Sequence, residues 1–405
     1  MSCLRHSGLL DMERFTALRD ELKKTGADAG DPKAIADRLV REQTLTPWQA
    51  ENLLRGKRRG FVLDKYRLLG PLGRGGMNAV YMAEHSLMRR RCAIKILPAK
   101  RLSDKSSVDR FHQEARAVAL LDHTNIVRAY DVGKAMDGST AIHFFAMELV
   151  EGESLNDRVA RDGPLPPVAA ANFIRQAAEG LAHAHSAGIV HRDIKPSNLL
   201  IDRDGVLKIL DLGLAKFFDE QPAADSPAGP SLSGTVDFLS PEQALNSQSV
   251  DWRSDIYSLG CSFYFLLAGH PPFPKGTMTQ RLVGHLTGQP EPISEKRTDV
   301  PADLLAILDR MLAKNPAERI QRAGDVAELL RQWLVQNADR LWIQRNPEIL
   351  TASGPMSAVA DLIPVKPDPG QPRVSRSLTG SSSEITFELF DPDRSTVTQG
   401  ILMRR

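Results

Sequence analysis

Residues 191–213 read HRDIKPSNLLIDRDGVLKILDLG, in which two polar stretches flank a hairpin pattern. The middle of the segment centres on Asp204-Gly205, a dipeptide that favours a tight hairpin turn. A hairpin at this position returns Asp211 to the neighbourhood of Asn198. On their own, Asn198 and Asp211 are also compatible with ordinary turn chemistry, so the rest of the chain has to decide whether they form a site.

The composition is that of an ordinary globular protein. The chain has 405 residues, of which 42% are apolar and 25% charged, and its formal net charge is +2. This near-neutral balance favours neither a nucleic-acid nor a membrane partner. The three cysteines, Cys3, Cys92 and Cys261, are far apart and match no metal spacing, which favours reduced thiols. The longest apolar run, 261–269, is about half of what a membrane span needs. We therefore expect a soluble, cytoplasmic protein.

Upstream, residues 12–60 are predicted to be helical. Asp31 and Thr46 each precede a proline, the combination of an N-cap and a first-turn proline that starts a helix. The basic stretch 55–59 is short and lacks interleaved aromatic residues, so a solvated linker is favoured over a nucleic-acid patch. The residues expected to form a small packed face are Leu39, Leu45, Trp48, Leu53 and Leu54.

The remaining chain divides into three zones. Residues 62–150 are strand-rich with one helix at 105–121, and residues 155–335 are mainly helical. This order predicts an α+β fold with two lobes and a cleft between them. Residues 336–405 are rich in Pro, Ser and Gly and are predicted to be a largely disordered tail.

Residues 73–81 read GRGGMNAVY, a glycine-rich loop in which Asn78 stands where a third glycine would complete G-x-G-x-x-G. A Walker-type loop is excluded, because no G-x-x-x-x-G-K-[ST] string occurs in the chain. A dinucleotide loop opens a helix, whereas residues 79–83 alternate like a strand. The remaining interpretation is a hairpin whose backbone N–H groups face a triphosphate.

A triphosphate needs cationic partners, and the next strand offers one. Ala93 and Lys95 are two residues apart and therefore share a strand face. Ala93 is small enough to lie against a flat base, and Lys95 is able to reach the phosphates. A lysine beside an apolar pocket needs a carboxylate, which Glu114 on the predicted helix supplies. Taken alone, Lys95 could also be a solvent-reaching lysine and Glu114 a solvated one.

Three motifs in order decide between these alternatives: HRDIKPSNLL at 191–200, DLG at 211–213 and SGTVDFLSPE at 233–242. With them the sequence resembles the Hanks-type, eukaryotic-like protein kinases, specifically the bacterial serine/threonine kinases, over residues 66–335. The resemblance implies a bilobal protein kinase fold with ATP and Mg²⁺ as cofactors. The implied organisation is an N-terminal helical segment and basic linker (1–60), a β-rich N-lobe with one αC helix (66–150), a helical C-lobe (151–335) and a tail (336–405).

The resemblance also implies roles for the polar residues. Asp193 matches the catalytic base, and Lys195 the residue that contacts the transferred phosphate. Asn198 and Asp211 match the Mg²⁺ ligands, and both are hard oxygen donors that suit this ion. Thr235 matches the residue that bonds Asp193 and Lys195 in kinases specific for Ser and Thr.

The ATP site follows in the same way. Val80, Ala93 and Leu200 match the residues that sandwich the adenine, Met147 matches the gatekeeper, and the backbone from Glu148 to Val150 matches the hinge. The full set implied to bind ATP is Leu72, Gly73, Gly75, Gly76, Val80, Ala93, Lys95, Glu114, Met147, Glu148, Val150 and Leu200.

Three further positions match structural residues of the family. Glu242 and Arg319 match a buried ion pair at the end of the activation segment, and Asp255 matches the anchor of the catalytic-loop backbone. The histidines His183 and His185 lie two apart on a helix and cannot share a metal, so a structural or solvated role is expected.

The sequence departs from the family pattern at a few positions. Leu212 replaces the commoner phenylalanine of DFG, and Ser240 replaces the alanine of APE, both as conservative changes in packing. Asn78 replaces the third glycine, and asparagine is among the few residues that tolerate a positive φ. We expect Asn78 to be left-handed or extended, with the hairpin retained.

The resemblance carries a regulatory hypothesis. Arg192 precedes the catalytic aspartate, as in kinases that require a phosphorylated activation segment. Ser231 and Ser233 are the candidate phosphosites, with Arg110 and Lys216 placed to pair with the phosphate. Autophosphorylation implies self-association, and the substrates implied are proteins with Ser or Thr acceptors.

Two alternatives remain beside an active kinase. One is a pseudokinase that binds nucleotide without catalysis, which the presence of every catalytic residue type disfavours. The other is a signalling scaffold that acts through the N-terminal helices and the tail.

Overall fold

The fold is described from a computed structural model of the chain. The structure describes residues 1–25, 31–75, 78–97, 108, 115–116, 118–137, 140–212, 236–245 and 250–350, without the side chains of 25, 73–75, 78, 137 and 140. Residues 1–355 form one compact unit, and a second unit, 356–405, lies outside the described residues.

The chain begins with four helices that share a hydrophobic core. They are α1 (Ser2–His6), α2 (Met12–Thr25), α3 (Pro32–Arg41) and α4 (Pro47–Leu54). The predicted caps are confirmed, since Asp31 accepts a hydrogen bond from the backbone of Lys33 and Thr46 forms a reciprocal capping box with Gln49.

The predicted apolar face of this segment is mostly confirmed. Leu39 and Leu45 are buried in the helical core, and Trp48 and Leu53 pack against it. The prediction for Leu54 is wrong, because its side chain is exposed at the end of α4. The helix there turns its last residue away from the neighbouring helices.

An antiparallel sheet follows, with the strand order β1-β2-β3-β4-β6-β5 within the described residues. Its buried face is formed by residues such as Leu68, Ala83, Ile94 and Phe144. The strands are β1 (Val62–Leu63), β2 (Tyr66–Gly75), β3 (Asn78–His85), β4 (Arg91–Ile96), β5 (Ala129–Asp137) and β6 (Thr140–Met147).

The glycine-rich loop lies between β2 and β3, as predicted. Gly75 pairs with Asn78 and Gly73 with Val80, so the two strands continue up to the turn. Asn78 is the first residue of β3 and belongs to an extended strand. Of the helix predicted at 105–121, the described residues Ala115 and Val118 are helical and buried.

A second sheet, β7-β8-β9, contains the hairpin of the opening motif. Its strands are β7 (Gly152–Ser154), β8 (Leu199–Asp202) and β9 (Leu207–Ile209). Gly205 adopts φ +82° at the turn, which a glycine tolerates and a residue with a Cβ rarely does. Backbone bonds from Val127 to Ile209 and from Ile209 to Asn125 join this hairpin to the chain that leads into β5.

The second half of the structure is helical. The long predicted helix is present and Gly188 follows it with φ +75°. The helix Arg253–Ala268 is almost entirely buried, as its apolar sequence requires. The helices are α5 (Leu155–Asp162), α6 (Pro167–Ser186), α7 (Pro241–Leu245), α8 (Arg253–Ala268), α9 (Met278–Thr287), α10 (Ala302–Met311), α11 (Ala323–Asn337) and α12 (Arg340–Arg345).

Ordered structure continues past residue 335, where the sequence predicted the start of the disordered tail. Helix α11 ends at Asn337, α12 follows with Asp339 as its N-cap, and a 3₁₀ turn covers Pro347–Leu350. Ile349 is fully buried, and its carbonyl accepts a hydrogen bond from Arg331 at 3.2 Å. The prediction for 336–350 is therefore wrong, because packing against α11 orders this stretch.

Among the described residues, no helix has both the length and the apolar character that a membrane crossing requires.

Candidate active site

The segment before the hairpin holds Asp193 between two polar neighbours. The ammonium of Lys195 lies 2.9 Å from Asp193 Oδ1 and 2.8 Å from Oδ2. Asn198 donates from Nδ2 to the Asp193 carbonyl at 2.8 Å and to Oδ2 at 3.0 Å. These three predicted site residues are thus brought together, and both carboxylate oxygens of Asp193 have a fixed orientation.

The backbone of this segment is tied to a buried carboxylate on α8. Asp255 accepts hydrogen bonds from the backbone N–H of His191 at 2.8 Å and of Arg192 at 2.7 Å, and from His185 Nε2 at 2.8 Å. Arg192 has φ +67°, a left-handed conformation that costs energy in a residue with a side chain. The predicted anchoring role of Asp255 is confirmed, and the geometry explains why the strained residue is held.

Asp255 is fully buried and stays negatively charged. Burial alone would raise its pKa, but the hydrogen bond and charge of His185, together with the bonds from the His191 backbone, lower the pKa overall. The structural role expected for His185 is therefore confirmed.

His191 links the two ends of the hairpin segment. Its Nε2 lies 2.7 Å from the carbonyl of Leu210, which can only accept, so Nε2 carries the hydrogen. Its Nδ1 then accepts from the backbone N–H of Asp193 at 3.2 Å. The Leu210 N–H donates to the Asn198 carbonyl at 2.9 Å, which confirms that the hairpin returns Asp211 to Asn198.

Lys95 of β4 reaches across to this segment. Its Nζ lies 2.8 Å from Asp211 Oδ2, and Lys95 is almost completely buried. Burial alone would raise the pKa of Asp211, but the charge and hydrogen bond of Lys95, with the charge of Lys195, lower the pKa overall. Asp211 has φ +60°, so this carboxylate too is carried by a strained residue.

The strands place the remaining N-lobe residues in register. Val80 on β3 is opposite Lys95 on β4, and Ala93 on β4 is opposite Met147 on β6. Ala93 and Met147 are buried, whereas Leu72 on β2 is exposed. Because residues two apart share a strand face, Ala93 and Lys95 face the same side of the sheet.

The residues predicted to form the hinge, Glu148 to Val150, follow β6 directly. The backbone N–H of Glu148 donates to the Arg128 carbonyl at 2.9 Å, and the Glu148 side chain pairs with Lys208 Nζ at 3.0 Å. Leu200 lies on β8, opposite Lys208 on β9. The sequence does not predict the Glu148–Lys208 pair, because the two residues are 60 positions apart and no spacing pattern joins them.

The lower part of the site contains the predicted ion pair. Arg319 Nη1 lies 2.8 Å from Glu242 Oε1 and Nη2 lies 3.2 Å from Oε2, with the Arg319 side chain fully buried. Ser254 donates to Glu242 at 2.6 Å. Burial alone would raise the pKa of Glu242, but Arg319 and Ser254 lower it overall, so the pair is ionised.

A further ion pair at this end was not predicted. Arg281 of α9 lies 2.6 Å from Asp237, three positions before Ser240, and both side chains are mostly buried. It ties α9 to the end of the segment that carries the SPE motif. No sequence spacing indicates such a contact, because the two residues are brought together only by the packing of α9.

Several predicted residues lie outside the described residues. These are Gly76, Glu114, Thr235, Ser231, Ser233, Arg110 and Lys216.

The donor set is consistent with a magnesium-bound nucleotide. Asn198 commits its Nδ2 to Asp193, so the side-chain oxygen Oδ1 is the atom that it would present to a metal. Asp211 adds an ionised carboxylate, and Lys95 adds a buried positive charge beside it. The hard oxygen ligands suit Mg²⁺. The positive charge of Lys95 suits phosphate oxygens.

Comparisons with known proteins agree with this geometry. The family model of the protein kinase domain matches residues 66–334. The serine/threonine-protein kinase PknB of Mycobacterium leprae is 38% identical over 269 residues, covering 66% of this chain and 43% of the relative. PknB of Mycolicibacterium smegmatis is 37% identical over 298 residues, covering 73% of this chain and 46% of the relative. The chain thus spans less than half the length of these curated relatives.

A solved structure supports the same conclusion. The PknI kinase domain of Mycobacterium tuberculosis matches with a TM-score of 0.53 and 26% identity, covering 67% of this chain and 98% of that domain. The chain therefore belongs to the protein kinase family. The predicted resemblance to Hanks-type bacterial serine/threonine kinases and the predicted bilobal α+β fold are confirmed.

Proposed function

We propose that this protein is a serine/threonine protein kinase that transfers the γ-phosphate of ATP to Ser and Thr hydroxyls of proteins. The observation that carries the proposal is the Asp193 carboxylate, held by Lys195 and Asn198 on a backbone tied to Asp255. Family membership supports the same activity.

In the proposed mechanism Asp193 accepts a hydrogen bond from the substrate hydroxyl and takes up its proton as the oxygen attacks. Lys195, 2.9 Å from Asp193, neutralises charge on the phosphoryl group in transfer. Positioning and charge neutralisation dominate, because the transition state of phosphoryl transfer is loose. General-base assistance of this kind contributes about 10²–10⁴-fold.

ATP and Mg²⁺ are the proposed cofactors. Val80, Ala93, Met147 and Leu200 form the apolar surroundings of the adenine, and the backbone between Glu148 and Val150 binds its edge. Lys95 would orient the phosphates, together with Leu72 and the glycines 73, 75 and 76 of the loop. Asn198 and Asp211 would hold Mg²⁺, which would neutralise phosphate charge. Glu114, which is outside the described residues, is the proposed second carboxylate partner of Lys95 in addition to Asp211.

The proposed substrates are proteins with Ser or Thr acceptors, with Thr235 as the residue that shapes the site for a short hydroxyl. Phosphorylation of Ser231 or Ser233 by a second copy of the chain is the proposed activating step, with Arg192, Arg110 and Lys216 as phosphate partners. Regulated transfer of this kind places the protein in signal transduction.

The proposed domain organisation is a helical segment at 1–60 followed by a kinase domain that begins at residue 66. The lobes of the kinase domain divide near residue 150, and the domain ends at residue 350 rather than 335. The burial of Ile349 against the last helices supports the later boundary.

A cytoplasmic location is proposed as well. Cys92 and Cys261 are buried free thiols, and burial raises the pKa of Cys92 to about 11. Unpaired thiols are typical of a reducing compartment. Cell fractionation with an antibody to the chain tests this proposal, and recovery in the membrane pellet after a salt wash would contradict it.

The activity is tested by transfer of radiolabelled phosphate from ATP to a generic protein substrate, followed by phosphoamino-acid analysis. We expect label on Ser and Thr from the wild type. Label only on Tyr would contradict the proposed specificity. Binding of nucleotide without any transfer would support the pseudokinase alternative.

A further inference from the structure

The outer edge of β2 is covered by the N-terminal helical segment. Strand β1 pairs with β2 only at Tyr66 and Arg67. At the next residue of β2, the N–H of Leu68 donates to the Phe61 carbonyl at 2.8 Å. The Leu68 carbonyl accepts from Gln49 Nε2 at 2.6 Å. An unpaired strand edge is thus closed by a helix and its linker instead of another strand.

A bulge in β2 creates a second contact point. Leu68 pairs with Ala83 and Gly70 with Met82, so Leu69 is the extra residue between them. The carbonyl of a bulged residue has no partner in the ladder and needs one elsewhere. Thr46 supplies it, because its hydroxyl donates to the Leu69 carbonyl at 2.5 Å.

The two helix residues that hold the strand also hold each other. Gln49 Oε1 accepts from the Thr46 backbone at 2.9 Å, and Thr46 Oγ1 accepts from the Gln49 backbone at 3.2 Å. Gln49 is completely buried, and Arg67 of β2 adds a contact to its Oε1 at 3.4 Å. The start of α4 and the bulge in β2 are therefore one hydrogen-bonded unit.

Packing reinforces this unit. Trp48 contacts both the helical core and the core of the sheet. Its ring lies 5.6 Å from that of Tyr81 on β3, and a Cβ at Gly70 would meet Trp48 Cβ at 3.6 Å. Val80 and Tyr81 face opposite sides of the sheet, so Trp48 supports the side away from the proposed nucleotide.

The held bulge lies immediately before the glycine-rich loop. Only Gly70, Pro71 and Leu72 separate Leu69 from Gly73, and a second register shift occurs between Pro71 and Gly73. A strand with two irregularities needs external contacts to keep one position. The hydrogen bonds from α4 reach Leu68 and Leu69, a few residues before the loop.

We propose that α4 positions the glycine-rich hairpin over the nucleotide, with Thr46 and Gln49 as positioning residues for ATP binding. The inference rests on the proposed kinase function. The helical segment 1–60 is then part of the catalytic unit rather than a separate interaction module, because its removal frees the carbonyls of Leu68 and Leu69 at the base of the loop.

The test uses the full chain and separates binding from chemistry. KM for ATP and kcat are measured by phosphate transfer, and Kd for Mg-ADP by calorimetry. The Gln49→Glu variant keeps an acceptor for the Thr46 N–H but replaces the donor to Leu68 with a carboxylate. We expect KM and Kd to rise roughly five- to tenfold, which corresponds to the loss of about one buried hydrogen bond. We expect kcat to be nearly unchanged.

Further variants distinguish the loss of this contact from a general loss of folding. Thr46→Val removes the hydroxyl without changing the side-chain shape and is expected to raise Kd, whereas Thr46→Ser restores the wild-type value. Glu51→Gln is the control, because Glu51 is exposed on the same helix and pairs only locally with Arg55.

Unchanged KM and Kd in folded Gln49→Glu and Thr46→Val variants would overturn the inference, as would a fall in kcat at constant KM. If the wild type binds Mg-ADP but transfers no phosphate, the proposed function fails, and the Kd values alone still decide whether α4 positions the loop.

Discussion

Lys95 Nζ and Asp211 Oδ2 lie 2.8 Å apart, and this ion pair connects β4 of the N-lobe with the segment that follows β9 in the C-lobe. Lys95 is almost fully buried, so its charge is little screened by solvent. Lys95, which the sequence assigns to the phosphates, is therefore in direct contact with Asp211, which the sequence assigns to the metal.

Replacing Lys95 by methionine is expected to lower phosphate transfer about 100-fold or more, because a buried positive charge at the phosphates is lost. The rate of transfer to a generic substrate provides the measurement. Lys134→Met is the matched control, since Lys134 is exposed on β5 of the same sheet. Equal rates for Lys95→Met and the wild type would show that Lys95 plays no part in transfer.

Removing the anchor carboxylate is expected to reduce stability as well as activity. Asp255→Ala leaves the N–H groups of His191 and Arg192 without their acceptor in a buried position. We expect the free energy of unfolding in urea to fall by roughly 3 to 5 kcal/mol. Asp122→Ala, at an exposed ion pair with Arg128, is the control. A similar small change in both variants would contradict the anchoring role.

The buried His285 predicts a pH dependence of stability. Burial, with the positive charge of Lys314, lowers its pKa from 6.5 to about 4, and its Nδ1 lies 3.1 Å from the Tyr257 hydroxyl. The unfolded chain binds a proton between these pKa values and the folded chain does not. Stability therefore falls as the pH drops through this window, by roughly 3 kcal/mol for this group.

Urea unfolding from neutral pH down to about pH 4 measures the effect. His285→Gln is expected to lose less stability over the window than the wild type, because glutamine takes up no proton. His6→Gln, at an exposed histidine, serves as the control. Parallel stability curves for the wild type and His285→Gln would rule out this assignment.

The regulatory hypothesis concerns residues outside the described part of the chain. Incubation with Mg-ATP is expected to place phosphate on Ser231 or Ser233, detected by mass spectrometry. The double alanine variant is expected to be roughly tenfold less active, because the phosphate no longer pairs with the basic residues around it. Ser186→Ala, at an exposed helix end, is the control. An active preparation without phosphate from Ser226 to Ser233 would contradict the hypothesis.

Local signals in the sequence predicted much of the fold. The caps at Asp31 and Thr46, the hairpin turn at Gly205 and the end of α6 before Gly188 depend on neighbouring residues, and all are present. The Glu242–Arg319 pair was predicted by family resemblance, since no local pattern joins residues so far apart.

Other features depend on tertiary packing and could not be predicted. The ion pair of Lys95 with Asp211 joins residues that are far apart in the chain, and no local pattern indicates it. The contact of Thr46 with the Leu69 carbonyl arises from a bulge at Leu69 that no residue type indicates. The ordered structure of residues 336–350 depends on the burial of Ile349. Its neighbour Leu350 is also apolar but exposed, so the residue type does not indicate which of the two packs.

The proposed function requires that Asp193 performs catalysis in a nucleotide-binding site. Asp193→Asn removes the base and keeps the side-chain shape, so the variant should bind Mg-ADP as the wild type does. The measurement is the rate of phosphate transfer at saturating ATP for both proteins, with Kd for Mg-ADP determined on the same samples. We predict equal Kd and a rate lower by about 10²-fold or more in Asp193→Asn. Equal transfer rates at equal Kd would contradict the assignment.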